Sequence, residues 1–402
     1  MSGSARSIPS RDSGVVDNRS QLGTAGSAAV ADRVRMHYVD VARAIAILWM
    51  LADHFVAVVL SKHYRDVTDP VYASWAYLRG FTAPLFFTVS GFVFASVLRA
   101  ERPLMRNPQV SSLLGRVLQC WVCGYALQLS IFGLLRGHLS SWFYVVHVLQ
   151  SMAVGWLILL LCYALHCALR RLPLAACCVA LGFVVFVATP VVRAADYARW
   201  PLWIGNYFTA DHGSVFPLFP WAGFVLFGGA LGATVAKLRD RYSHRRLGGL
   251  VLLVGGALLL GARPVMDGMA EHLSGLAYLA SAWRPRHCLV RLGEVTALLG
   301  ALMVVEQGLC ARLPLWFRRV GQRTLSIYVA HAVLLYGSVV GIGIDSFCAG
   351  RFTPAEVALW LPCFAAPLIL LAQWRAPFGR WGSIASAMRP MSTSIRDGAS
   401  RS

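Results

Sequence analysis

The first long apolar stretch of the chain, residues 36–60, carries the ionisable side chains Asp40, Arg43, Asp53 and His54. On insertion scales such a group costs roughly 2.5 to 3.5 kcal/mol near the bilayer centre, so it normally faces a protein interior or a wet cavity. An imidazole titrates near neutral pH and can accept a proton from a hydroxyl or amine nucleophile. The stretch therefore predicts a chemically active site within a membrane helix.

Helical spacing places most of these side chains on one face. At roughly 100° per residue, Asp40, Arg43 and His54 fall within a sector about 80° wide, whereas Asp53 points about 100° away from His54. Arg43 and His54 are separated by roughly 16 Å along the helix axis, about half of the hydrocarbon thickness. A polar stripe of that length indicates a passage into the membrane domain, not a single point. The alternatives are that Asp40 and Arg43 form an ion pair anchoring the helix end and that His54 is a packing residue.

Three more polar residues are expected near His54. His147 lies in the outer third of the fourth apolar segment, and Asp211 and His212 come just before the sixth. Their positions along the chain bring them to the same leaflet as His54, where they would bind substrate or orient the base. No histidines here have the spacing of a metal-ligand pair, so no metal is predicted.

Other segments contribute three further candidates for substrate binding. The ninth segment brings Arg323 to its inner mouth and His331 to about mid-membrane, and the second contains Ser90 beside Gly91. Small residues such as these also allow two helices to approach closely, which is a sufficient alternative explanation for Ser90.

Composition sets the class of protein. The chain has 402 residues, of which 57% are hydrophobic and only 14% charged, so we predict an all-α, polytopic membrane bundle with membrane lipids as its surroundings. The net charge of +19 comes mostly from cations that flank apolar segments, and no basic and aromatic patch indicates nucleic-acid binding. The ten cysteines are mostly apolar fillers, with a Cys288–Cys348 disulfide left open.

About ten transmembrane helices are predicted. The inside tails and loops would hold 25 of the 37 Lys and Arg residues, which favours cytoplasmic termini. Residues 1–35 and 377–402 are predicted to be disordered cytoplasmic tails around a membrane domain of residues 36–376. The ten apolar segments are about 37–60, 80–98, 113–135, 142–166, 174–192, 216–236, 247–262, 288–310, 320–342 and 356–374.

Several motifs together resemble the transmembrane acyltransferase superfamily. Within it, the chain is most similar to bacterial proteins like heparan-alpha-glucosaminide N-acetyltransferase, with the acyltransferase type 3 family as a near neighbour. Ala44 departs from the family pattern, which usually has Gly after the first-helix Arg. The motifs are Val39-Asp40-Val-Ala-Arg43 with Asp53-His54-Phe55, Leu85-Phe-Phe-Thr-Val-Ser-Gly-Phe92, Pro217-Leu-Phe-Pro-Trp-Ala-Gly-Phe224 followed by Gly228, and Leu325-Ser-Ile-Tyr-Val-Ala-His331.

The resemblance implies a bacterial inner-membrane acyltransferase. It would move an acyl group, commonly acetyl from cytoplasmic acetyl-CoA, to a hydroxyl or amine of a sugar or glycoconjugate. His54 matches the family's first-helix histidine and is predicted to be the general base or a covalent acyl relay, with Asp53 as a catalytic neighbour. Arg43 and Asp40 match the polar pair of the family pattern. The alternative function is a transporter or flippase for a polar or lipid-linked solute. The acceptor and the oligomeric state are left open.

Overall fold

The computed structural model describes residues 36–98, 103–137, 139–272 and 284–374. Both tails predicted to be disordered, residues 1–35 and 377–402, therefore lie outside the described residues. From His37 onward the described chain forms one compact unit. The α-helices in it are α1 His37–Val59, α2 Pro70–Val97, α3 Pro108–Ala126, α4 Ile131–Leu135, α5 Val148–Ala168, α6 Leu174–Ala194, α7 Leu202–Gly205, α8 Leu218–Leu238, α9 His244–His272, α10 Arg284–Val304, α11 Leu315–Gln322, α12 Thr324–Tyr336, α13 Ile344–Cys348 and α14 Pro354–Leu371.

The predicted all-α membrane bundle is confirmed. Among the described residues, eight helical segments are long and apolar enough to cross a membrane, so the protein is a multi-pass membrane protein. Every one of the ten predicted segments contains a helix, but two segments have no helix that is both long enough and apolar enough to cross a membrane. They are α3, whose 19 residues include Gln109, Arg116 and Gln119, and the ninth segment, which is divided into α11 and α12.

The division of the ninth segment occurs at Arg323. This residue has φ −116° and ψ 30°, outside the helical range, and it separates an 8-residue helix from one of 13 residues. At 1.5 Å per residue, α12 is about 20 Å long, shorter than the hydrocarbon thickness of about 30 Å. It ends at Gly337, whose φ of 62° is the left-handed conformation that glycine favours.

Close approach of glycines holds α8 against α2. A Cβ at Gly228 would lie 1.9 Å from the Thr88 carbonyl oxygen, and one at Gly91 would lie 2.0 Å from that of Val225. Hydrocarbon surroundings provide no hydrophobic drive for helices to associate, so such backbone contact and its van der Waals energy carry much of the stability. Gly91, the neighbour of Ser90 in the second segment, therefore makes a close contact between two helices.

Substituting Gly228 by alanine should destabilise the protein by about 1 to 3 kcal/mol, because the added methyl group overpacks a backbone contact. The free energy of unfolding in detergent would measure this. Gly249 is the matched control: it lies within a helix and has nothing within 4 Å of its Cβ position. Gly249→Ala should be neutral or slightly stabilising, and equal losses for both variants would contradict the role of the contact.

Two apolar clusters form much of the core among the described residues. The larger one joins residues of α2, α3, α5, α6, α8 and α10, and the smaller one joins α1, α11, α12 and α14. Phe86 and Tyr328 pack against both clusters. The boundary between the clusters therefore passes beside α12, where the predicted polar residues of α1 also find their partners. All ten cysteines are free, so the Cys288–Cys348 disulfide is not formed.

Candidate active site

Two histidines from distant parts of the chain meet inside the bundle. His54 Nδ1, near the end of α1, and His331 Nε2, in α12, are joined by a hydrogen bond of 3.0 Å. His331 is only 1% exposed, and the ring of Tyr328 covers it edge-on at 5.0 Å. The ring of Tyr336 also stands edge-on to His54, at 5.9 Å. His54 is thus held in a defined orientation by an apolar and aromatic wall.

One arrangement of protons on the pair leaves Nε2 of His54 free to accept a proton. His331 Nδ1 is buried and has no hydrogen-bond partner of regular geometry among the described residues. A proton on that nitrogen leaves His331 Nε2 to accept from an N–H at His54 Nδ1. His54 Nε2 then carries the free lone pair, as a general base or a nucleophile requires.

Asp53 has a different partner. Its Oδ1 lies 3.3 Å from Nε of Arg79 on α2, and the side chain of Asp53 is mostly buried. The structure thus joins His54 to His331, whereas the carboxylate predicted to help orient His54 pairs with an arginine. This agrees with the angle of about 100° between the two side chains on the helix. Arg79 is a residue that the sequence reasoning did not select.

Two polar contacts continue down the same face of α1 toward its start. Arg43 Nη2 donates to Thr324 Oγ1 at 2.8 Å, and Gln322 Nε2 donates to the buried Asp40 carboxylate at 3.0 Å. Arg323 lies between these partners in the chain, and its Nη1 is buried without a hydrogen-bond partner among the described residues. Asp40 and Arg43 therefore both contact the junction of α11 and α12.

The remaining candidates come from three different parts of the chain: the start of α5, the loop before α8 and the helix α2. His147 precedes α5 as its N-cap residue and lies within electrostatic range of His54. Asp211 and His212 are exposed, in the loop before α8, where Asp211 Oδ2 accepts a 2.6 Å hydrogen bond from Thr209. Ser90 donates to the Phe87 carbonyl of its own helix at 2.8 Å. Substrate contacts for these four residues stay predictions.

The start of α1 has its own polar anchor, which sequence reasoning missed. Glu306 Oε1 accepts from the backbone N–H of His37 at 3.0 Å, and Oε2 lies 3.3 Å from His244 Nδ1 at the start of α9. Burial raises the pKa of Glu306, and the neighbouring His244 opposes that shift. Arg318 of α11 also bonds His37 Nδ1, at 3.0 Å. These contacts fix the end of α1 that lies opposite His54.

The described chain is a polytopic helical bundle whose interior holds paired imidazoles and whose first helix makes polar contacts along one face, which is the fold of a multi-pass membrane protein with a candidate site inside the bundle. The catalytic-domain model of heparan-alpha-glucosaminide N-acetyltransferase matches residues 35–260, more than half of the chain. The protein belongs to this family and is a membrane acetyltransferase. A search among curated proteins gave no match.

The matched region contains all of α1 with Asp40, Arg43, Asp53 and His54. It ends before α10, so the partners Thr324 and His331, like Arg323, come from the part of the chain beyond it. The site therefore combines a family-specific first helix with a later pair of helices.

Proposed function

We propose that the protein transfers an acetyl group from acetyl-CoA to a hydroxyl or amine of a sugar or glycoconjugate, with His54 as the reacting group. The observation that supports this most is the 3.0 Å hydrogen bond between His54 and His331 within a bundle of apolar helices. An imidazole pair in that setting costs free energy to bury, and it has a clear use where a proton must be accepted and returned near neutral pH.

In direct transfer, His54 Nε2 takes the proton of the acceptor as its oxygen or nitrogen attacks the thioester carbonyl. The tetrahedral intermediate then collapses, the carbon–sulfur bond breaks, and the proton moves from His54 to the departing CoA sulfur. His331 Nε2 accepts the hydrogen bond from His54 Nδ1 throughout, so it stabilises the transient imidazolium. The two rings do not both take up an extra proton, because like charges about 3 Å apart repel strongly.

A covalent relay is the second route through the same residues. Here His54 Nε2 attacks the thioester, CoA leaves, and the acetyl-imidazole passes its acetyl group to the acceptor in a later step. The two substrates then need not meet, which suits a donor and an acceptor from opposite sides of a membrane. Ping-pong kinetics and an acetylated His54 peptide after acid quench would identify this route.

The donor would enter from the end where α1 begins. Arg43 and Arg323 place cationic groups there, and Arg43 is roughly 16 Å along the helix from His54. Guanidinium groups suit the phosphates and carbonyls of a CoA thioester and its pantetheine arm. With both termini cytoplasmic in a bacterial inner membrane, this end faces the acetyl-CoA pool and His54 lies toward the outer leaflet.

The decisive experiment measures CoA release from acetyl-CoA by the purified protein in detergent, with and without a panel of sugar acceptors. Release that requires an acceptor, together with an acetylated sugar by mass spectrometry, would establish the proposal. Absence of release with every acceptor, combined with no binding of acetyl-CoA, would overturn it. Uptake of solutes into proteoliposomes would then test the transporter alternative.

Arg43→Gln should raise the KM for acetyl-CoA by about 10-fold, because a hydrogen bond from a charged group contributes roughly 1.5 to 3 kcal/mol. The KM for the acceptor should stay unchanged. Steady-state kinetics with each substrate varied in turn would measure both. Thr324→Val removes only the partner of Arg43 and should have a smaller effect; an equal effect would make Arg43 a structural anchor of α12.

A further inference from the structure

The helices α9 and α10 pack tightly along their length and separate at one end, where a cavity of about 610 Å³ opens. Glycines bring the two backbones together. A Cβ at Gly293 would lie 2.9 Å from the backbone nitrogen of Leu259, and one at Gly248 would lie 2.7 Å from that of Val304. Val304 is the last residue of α10, so the cavity lies just past this contact, between the start of α9 and the chain that follows α10.

A widened helical turn forms one wall of the cavity. Residues Glu306–Cys310 make a π-helical turn, in which the Ala311 amide donates to the Glu306 carbonyl at 2.9 Å. Such turns are rare and occur frequently at functional sites. Gly308, within this turn, lines the cavity and has nothing within 4 Å of its Cβ position. The wall is therefore open at Gly308.

The polar part of the cavity carries positive charge. Arg245 lines it, is exposed, and belongs to none of the ion pairs in the described part of the chain. His244 also lines it, and its Nδ1 lies 3.3 Å from the buried carboxylate of Glu306, which leaves Nε2 as the nitrogen that can donate to a ligand. Residues 237–246 hold five Lys and Arg and one Asp. The cavity therefore suits a ligand with a negative group.

The rest of the lining is mostly apolar. It includes the exposed side chains of Val305 and Leu309. The membrane-spanning part of α9 begins at His244 and that of α10 ends at Val304, so the cavity lies at the level where the hydrocarbon gives way to water. A soluble anion would leave the apolar wall uncovered, whereas the glycerol and acyl chain of a lipid would cover it.

We propose that this cavity binds the headgroup phosphate of an anionic phospholipid, with Arg245 and His244 Nε2 as donors and an acyl chain along Val305 and Leu309. Phosphate oxygens accept strong hydrogen bonds from cationic donors, and basic pockets between membrane helices suit anionic headgroups. Phosphatidylglycerol brings a negative charge without a cation, whereas the trimethylammonium group of phosphatidylcholine is repelled by Arg245.

Native mass spectrometry of the purified protein in detergent, titrated with dioleoyl phosphatidylglycerol or dioleoyl phosphatidylcholine, tests the site. The wild-type protein should bind phosphatidylglycerol more tightly. Arg245→Gln should lower the affinity for phosphatidylglycerol by about 10-fold, because a charged hydrogen bond is lost, and should leave that for phosphatidylcholine nearly unchanged. Equal affinities of the wild-type protein for the two lipids would overturn the proposal.

Arg241→Gln is the matched control for charge. Arg241 is an exposed arginine of the same basic stretch, and it does not line the cavity. Its replacement should change the affinity for phosphatidylglycerol by less than about 2-fold, because a fully solvated charge is screened. Equal losses in Arg241→Gln and Arg245→Gln would reduce the binding to a general attraction of charge and refute the site.

Filling the cavity tests its shape without changing its charge. Gly308→Phe places a ring in the open space and should abolish the preference for phosphatidylglycerol. Gly249→Phe is the control, since Gly249 also has nothing within 4 Å of its Cβ position and lies in α9 outside the cavity. Unchanged binding of phosphatidylglycerol by Gly308→Phe would place the lipid elsewhere and contradict the proposal.

Competition distinguishes a lipid from a soluble phosphate. Neither inorganic phosphate nor coenzyme A should displace phosphatidylglycerol, because neither covers the apolar wall. Displacement by either compound, or binding of either compound that Arg245→Gln abolishes, would overturn the lipid site and assign the cavity to a soluble phosphate. These titrations need no acetyl transfer, so their outcome is independent of the proposed function.

Discussion

Replacing His54 by alanine should lower kcat for acetyl transfer by about 10²- to 10⁴-fold, the usual contribution of a positioned general acid–base group. The reason is that Nε2 of His54 is the nitrogen that takes the acceptor's proton in the proposed mechanism. If His54 instead carries the acetyl group covalently, the loss should lie at the upper end of this range. CoA release and acetylated product, measured under saturating substrates, would report the change.

The matched control for His54 is His63, an exposed histidine in the short helical turn Lys62–Tyr64 that follows α1. His63→Ala should keep full activity. Both variants should elute and unfold like the wild-type protein, because His54 contributes one hydrogen bond to a large apolar core. Activity of the His54→Ala variant within a few-fold of wild type would remove His54 from the mechanism.

Replacing His331 by leucine should lower kcat by roughly 10²-fold and leave both KM values nearly unchanged. The variant loses the acceptor for His54 Nδ1–H, so the orientation of the base and the support for its imidazolium are lost together. His331 is a positioning residue in this proposal, and the acetyl group reaches only His54. Steady-state kinetics with both substrates would separate the effect on kcat from any effect on KM.

Rescue by a conservative variant tests whether the hydrogen bond matters or only the packing. His331→Gln offers an amide oxygen as acceptor and should recover about 10-fold of the lost rate relative to leucine. The matched control is His166→Gln, a histidine in the last turn of α5 that bonds the Leu172 carbonyl. Equal activity of the leucine and glutamine variants of His331 would show that the acceptor has no role.

Much of the fold could be predicted from hydropathy, because long apolar helices follow from the need to satisfy the backbone in hydrocarbon. The division of the ninth segment could not. Its run of residues 320–342 is apolar enough overall, and only the contiguous polar residues Gln322, Arg323 and Thr324 signal a break. The side chains of Gln322 and Thr324 bind α1. The break therefore depends on contacts with a distant helix, which the hydropathy of one segment does not contain.

The candidate site was predictable in part. The spacing along α1 correctly placed Asp40, Arg43 and His54 on one face, since all three find partners in α11 or α12. The identity of those partners depends on which distant helix packs there, and periodicity within one segment carries no such information.

The contacts of α1 also have a consequence for the order of biosynthesis. Residues after position 300 contact this helix at its start through Glu306, in its first third through Thr324 and near its end through His331. The ribosome makes α1 before these partners, so the nascent helix lacks all three contacts while helices α2 to α10 are made. Docking of α1 against α11 and α12 is therefore a late event in assembly.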